Sequence, residues 1–151
     1  MCATLPMQAT SKKKAEKLAE AKEKAKEKAK KLNGKATVIY GESAAGTAGK
    51  EESDTSFANA LKATAPGATV VAKWTISDRA KSQTDVGTVL QGNPTANAVA
   101  ATNDEGTLGA IGAFKAAGKD LPCVVGFGGN DEVLGLVKDG TIGRIALGPQ
   151  Y

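Results

Sequence analysis

Between Asn97 and Asp104 the chain reads Asn-Ala-Val-Ala-Ala-Thr-Asn-Asp, a small apolar run that breaks into polar side chains and gives way at once to a helix-forming stretch. An apolar run without polar alternation suits a strand covered on both faces, as in a parallel sheet between helices. The polar break then falls at the carboxyl end of that strand, which is where open α/β sheets place their ligands. This requirement organises the rest of the chain.

Other segments fit around it. Ala36 to Tyr40 is a β-branched strand, and Gly41 to Gly49 is a loop of small residues leading into a helix from Lys50 to Ala63. Pro66-Gly67 turns the chain into a strand from Ala68 to Ile76; a helix from Arg79 to Leu90 follows and ends at Gly92-Asn93-Pro94. After the Asn97 strand come a helix from Glu105 to Ala117, a strand from Cys123 to Phe127, a helix from Asp131 to Lys138 and a strand from Gly143 to Leu147. Regular alternation of strand and helix implies right-handed crossovers and a parallel sheet with helices on both faces. The expected fold is therefore α/β, a three-layer α/β/α sandwich with a flavodoxin-like sheet in the order 2-1-3-4-5, the Asn97 strand at its centre.

The start of the chain is different in kind. Ser11 is placed to cap a helix reaching Leu32, closed by Asn33-Gly34, about 33 Å long. It is built almost wholly of Ala, Lys, Glu and Leu, with a thin apolar stripe of Ala15, Leu18, Ala25, Ala29 and Leu32. Such simplicity reads as an engineered replacement in which propensity and surface charge were optimised, the other reading being a natural Lys-rich surface helix. In either case it is expected to fold back on one face or edge of the sheet.

The chain carries a formal charge of +4, but Lys12 to Lys31 holds ten Lys against four Glu, so the remainder is slightly acidic. That helix has neither an aromatic side chain to stack bases nor an Arg to read them, so no nucleic-acid partner is expected. Histidine is absent, which removes Ser-His and Cys-His nucleophile pairs and histidine metal sites. No metal and no cofactor are expected. Cys2 and Cys123 are too few for a zinc cluster or a disulfide framework; Cys123 opens an apolar strand and is expected to be buried, and Cys2 to be a free thiol. No apolar run is long enough to span a membrane, and Met1 to Thr10 has no signal-peptide pattern, so cytoplasmic production of this chain is expected.

Two motifs fail on inspection. Ala44-Ala-Gly-Thr-Ala-Gly-Lys50 lacks the first Gly of a phosphate-binding loop and has Glu51 where a hydroxyl should follow the lysine. Gly41-Glu-Ser-Ala-Ala45 lacks the second Gly of a nucleophile elbow and any histidine to activate Ser43. More informative are Asn103-Asp104-Glu105 and Gly126-Phe-Gly-Gly-Asn-Asp131, each following a strand. Asn or Asp there caps the next helix, and one of the pair is free to point into the crevice.

Thr102-Asn-Asp-Glu-Gly-Thr-Leu-Gly-Ala-Ile-Gly-Ala-Phe-Lys-Ala-Ala-Gly-Lys119 and Val124-Val-Gly-Phe-Gly-Gly129 resemble the C-terminal lobe of type I periplasmic sugar-binding proteins, the ribose-binding and LacI-regulator superfamily. The similarity covers about residues 35–149. It implies a two-lobed receptor, periplasmic or extracellular, that closes on a sugar or other small polar solute and delivers it to a membrane ABC permease. One lobe is present, so residues 1–151 are read as a single lobe with its Lys/Glu/Ala helix at 11–32.

In the family this lobe holds its ligand through an arginine, an aromatic, an asparagine, an aspartate and a glutamine. Carried across, these positions fall near Glu51, near Ser77, on Asn103, on Gly128 and near Leu147, so only Asn103 keeps its type. Asp104, Trp74, Asp78 and Asn130 complete the candidate ligand contacts.

The expectation is a lobe derived from a solute-binding protein, with weak or no ligand binding alone. The rivals are a plain scaffold and a self-assembling half that forms a homodimer crevice to crevice and rebuilds a cleft. An enzyme using Asp78 and Asp104 is the least favoured.

Overall fold

The computed structural model describes residues 35–142 and 144–147. The expected Ser11–Leu32 helix and Cys2 lie outside the described residues. Five strands, β1 (Thr37–Glu42), β2 (Thr69–Thr75), β3 (Ala98–Ala101), β4 (Cys123–Gly128) and β5 (Arg144–Leu147), alternate with helices α1 (Lys50–Thr64), α2 (Arg79–Gly92), α3 (Asp104–Ala116) and α4 (Asp131–Lys138). The strands form one sheet in the order β2-β1-β3-β4-β5, parallel at every pairing. This is the predicted order, with β3 at the centre.

Alternate residues of each inner strand feed two separate cores. Ile39, Val99, Ala101 and Val124 meet Val86 and Leu90 of α2, Leu108, Ile111 and Phe114 of α3, and Val133 and Val137 of α4. Val38, Tyr40, Ala98, Ala100, Cys123 and Val125 lie in the opposite core with Phe57 and Leu61 of α1. The four residues of β3 are fully buried, which is why that strand shows no polar alternation in the sequence. A register shift between Val38 and Ile39 pairs Val38 with Val70 but Ile39 with Ala72, leaving Val71 as an extra residue in β2. The bulge lets Val70 pack with the α1 core while Trp74 packs with the other, and it kinks the strand that is outermost among the described residues.

Three helices share one face, and two of them touch closely. A Cβ on Gly109 of α3 would meet the Arg79 carbonyl oxygen at 2.7 Å and the Gln83 nitrogen at 3.0 Å, both backbone atoms of α2. Only glycine admits that approach, which seats Ser82 and Thr107 out of reach of water. The crossing holds the first turns of α2 and α3 side by side above the sheet. Cys123 is buried as expected and is disulfide-bonded, a covalent link that the sequence reading did not assign to it.

Candidate functional site

The carboxyl ends of the strands form a crest on which α1, α2, α3 and α4 begin. Between β1 and β3 the chain changes direction, since the helix after β1 lies on one face and the helix after β3 on the other; this is the switch point where such sheets leave a crevice. Ser43 and Thr102, one residue beyond each strand, bring their hydroxyl oxygens to 3.2 Å there. Ser43 lacks a nucleophile motif and 59 residues separate it from Thr102, so the pair is not visible in the sequence.

Four candidate polar side chains on the crest, those of Asn103, Asp104, Asn130 and Asp78, are engaged by the chain itself. Asn103 has extended backbone, and its Oδ1 accepts from the Gly106 N–H at 2.9 Å, capping α3. Asp104 turns away from its own helix. Its carboxylate accepts from Gly129 N–H at 3.0 and 3.2 Å and from Asn130 N–H at 3.2 Å, tying α3 to the turn after β4. Asn130 in turn caps α4 through Val133 N–H at 2.8 Å, and Asp78 caps α2 through Lys81 N–H at 2.8 Å.

The remaining candidates are placed differently. Gly128 has φ 148°, and a Cβ on it would fall inside the Asp104 carboxylate. The space beside Gly128 is thus filled by an acid from the neighbouring strand end. Ser77 is exposed beside Asp78, with its hydroxyl 3.4 Å from that carboxylate, and Glu51 is exposed in the first turn of α1. Trp74 is only 4 % exposed, its ring lying over Gly41 in the core shared with α2 and α3. The structure therefore brings Asn103, Asp104, Gly128 and Asn130 into one cluster, sets Ser77 and Asp78 at the head of α2, and leaves Glu51 on α1 and Trp74 in the interior.

Two charged groups flank the cluster. Arg79, the first residue of α2, donates both terminal nitrogens to the Glu132 carboxylate of α4 at 3.2 and 2.8 Å, with Glu105 of α3 at 3.8 Å. The hydrogen bond to Glu132 raises its already high pKa further. On the α1 side, Tyr40 donates to Asp54 at 2.7 Å, and Lys50 bridges Asp54 and, at 3.1 Å, Glu42. Tyr40 stacks on Phe57 with ring centroids 4.5 Å apart, and Lys73 lies 5.8 Å over its ring. Burial, then the bond to Asp54, drives the Tyr40 phenol well above its ordinary value. Burial also pushes Asp54 upward, but the hydrogen bonds from Lys50 and Tyr40 outweigh it and hold the carboxyl below its usual range. The Lys50–Asp54 pair has helical i,i+4 spacing that the sequence displays; the Tyr40 contact comes only from folding α1 over β1.

Chemically the crest offers neutral hydroxyls, amides and paired carboxylates. Among the described residues no group of three or more His, Cys, Asp or Glu is placed to hold a metal ion, and no helix is long and apolar enough to cross a membrane.

This combination, a parallel sheet of order 2-1-3-4-5 with polar groups on the crest at its switch point, is that of an open α/β fold whose ligand crevice lies above the strand ends. A model of the periplasmic binding protein domain matches residues 12–151, so the chain belongs to that family. Over 62 residues it is 47 % identical to the ribose import binding protein RbsB of Bacillus subtilis (strain 168), covering 41 % of this chain and 20 % of the relative. A 5-methylthioribose transporter solute-binding protein from Thermotoga lettingae TMO, solved with 5-methylthioribose, is similar at 32 % identity and a TM-score of 0.60 over 77 % of this chain and 37 % of that one. The binding protein of the arabinose ABC transporter from Shewanella sp. ANA-3 shares the fold, with a TM-score of 0.69 at 24 % identity over 88 % of this chain and 46 % of that one. The chain thus spans less than half the length of these relatives. They are sugar-binding transport proteins rather than enzymes.

Proposed function

We propose that this chain is a single lobe of an ABC-import sugar-binding protein, residues 35–149 forming the C-terminal lobe, which binds sugars weakly or not at all when alone. The observation that carries the reading is the commitment of the crest. Asn103, Asp104, Asp78 and Asn130 each hold backbone N–H groups of the chain. A sugar hydroxyl competing for one of these oxygens exchanges one hydrogen bond for another, and the net value of such a bond is only about 0.5–1.5 kcal/mol. Micromolar affinity requires about 8 kcal/mol, which sugar sites reach by burying most of the ligand. Among the described residues Ser77, Asp78 and Asn130 of the crest stand exposed, so this surface supplies little burial.

In a complete receptor the same cluster, with Ser77, Glu51 and Trp74 around or beneath it, would form one wall of a periplasmic or extracellular cleft serving a membrane permease. The extreme simplicity of the 11–32 segment supports an engineered origin for that part of the chain. A second reading, a crevice-to-crevice homodimer, is favoured by Phe127, which stands 37 % exposed near the crest end of β4.

Isothermal titration of the chain with D-ribose and L-arabinose, run beside analytical ultracentrifugation, tests both. The expected result is a monomer with no saturation at millimolar sugar. Micromolar binding by the monomer would overturn the reading, and sugar binding that appears only with a dimer would establish the second one.

A further inference from the structure

The turn between β4 and α4 is built around two glycines, Gly128 at φ 148° and Gly129 at φ 154°, backbone that a residue with a side chain rarely adopts. It points two successive backbone N–H groups, those of Gly129 and Asn130, at one place, and the Asp104 carboxylate fills that place from the start of α3. We propose that this turn is a cradle for a small carboxylate and that Asp104 is its built-in occupant, an autoinhibitory contact that shuts other carboxylates out of this end of the crest.

Both carboxylate oxygens are held, Oδ1 by the Gly129 N–H at 3.0 Å and Oδ2 by the Gly129 and Asn130 N–H groups, each at 3.2 Å. A Cβ on Gly128 would meet both oxygens and the carbon between them, so the bare Cα of Gly128 is the third wall of the cradle. These amides are not the free donors of a helix end, since Asn130 already caps α4 through the Val133 N–H. Successive backbone N–H groups that converge in this way form an anion-binding concavity. Nor does Asp104 serve its own helix, because Asn103 caps α3 through the Gly106 N–H. Among the described residues the two amides of the turn are the hydrogen-bond partners of its carboxylate, across 25 residues of chain.

Asp104 keeps the cradle because it is tethered. As the first residue of α3 it is fixed beside the turn, and a group held in place acts at an effective concentration far above that of a free solute. Glu105, Asp131 and Glu132, in the first turns of α3 and α4, repel a free anion further. A carboxylate from solution therefore enters only when Asp104 is removed and those neighbours are screened by salt. The inference is independent of any sugar binding, and its test does not involve a sugar.

Asp104→Ala removes the occupant and leaves room for formate. Melting and amide spectra of the native chain and the variant are compared in about 0.5 M sodium formate and in sodium chloride at the same concentration, where screening within about 4 Å subdues the nearby acids. The variant is expected to melt about 3 °C higher in formate than in chloride, as a dissociation constant of about 0.1 M requires, with saturable shifts at the Gly129 and Asn130 amides. The native chain, and Asp104→Asn, which keeps an acceptor oxygen in place, are expected to melt alike in the two salts. Should Asp104→Ala be unfolded in chloride, its recovery in formate is the same test. Equal melting of Asp104→Ala in the two salts, a variant unfolded in both, amides of the turn that formate does not shift, or a formate effect as large in the native chain would each overturn the proposal.

Discussion

Replacing Asp54 by Ala removes the acceptor of the Tyr40 hydroxyl, which lies at 2.7 Å from that carboxylate on a residue 3 % exposed. Lys50 keeps Glu42 at 3.1 Å, so the cost falls on the phenol. An orphaned buried hydroxyl costs about 1–3 kcal/mol, which for a chain of this size lowers the melting temperature by roughly 3–10 °C. Tyr40→Phe removes donor and hydroxyl together, leaves Asp54 with Lys50 and costs about 1 kcal/mol, with the stack on Phe57 intact. Urea unfolding of the two single variants and the double variant gives the coupling. Asp54→Ala is expected to cost about 1 kcal/mol less in the Tyr40→Phe background than in the native chain.

The pH profile provides a second readout. The folded pKa of Asp54 is depressed, so its contribution is present above the ordinary carboxylate value and is lost as pH falls through the folded one. The folded pKa of Tyr40 is raised, so its contribution is complete below about pH 10 and is lost as pH climbs above that value. Both losses are expected to be smaller in the double variant. Equal costs for Asp54→Ala in the two backgrounds, or an unchanged alkaline limb in Tyr40→Phe, would refute this account of the α1 contact.

Gly109→Ala gains up to about 1 kcal/mol of helix propensity but sets a methyl against backbone atoms of α2, and is expected to destabilise by a net ~1–2 kcal/mol in chemical denaturation. Asp104→Ala removes the acceptor of the Gly129 and Asn130 amides; hydrogen exchange at those two positions is expected to accelerate at least tenfold while exchange in β3 stays unchanged.

Much of the architecture was legible before folding. Uninterrupted Ala-Val-Ala-Ala can be buried on both sides only between helices, and the Asn-Asp and Gly-Gly-Asn-Asp junctions announce helix starts. Boundaries moved by one or two residues: β1 runs to Glu42 rather than Tyr40, and α3 begins at Asp104 rather than Glu105. The bulge at Val71 was not legible, because an extra residue on an edge strand leaves the composition of the strand unchanged. Of the two residues expected to share capping and crevice duties, Asn103 caps α3 and Asp104 reaches over to the next turn. Trp74 followed the hydrophobic pattern inward instead of lining the crest.

Local order along the chain, the spacing of apolar and polar groups and the chemistry of turns, was enough to determine the elements, their alternation and the parallel sheet, since these depend on neighbours within a few residues. Which partner each polar side chain takes was decided only in three dimensions. Asp104 with Gly129, Arg79 with Glu132 and Ser43 with Thr102 are brought together by crossovers that link distant parts of the chain. A carboxylate or hydroxyl binds whichever polar partner the fold delivers to it, and that partner lies more than 20 residues away in each of these pairs.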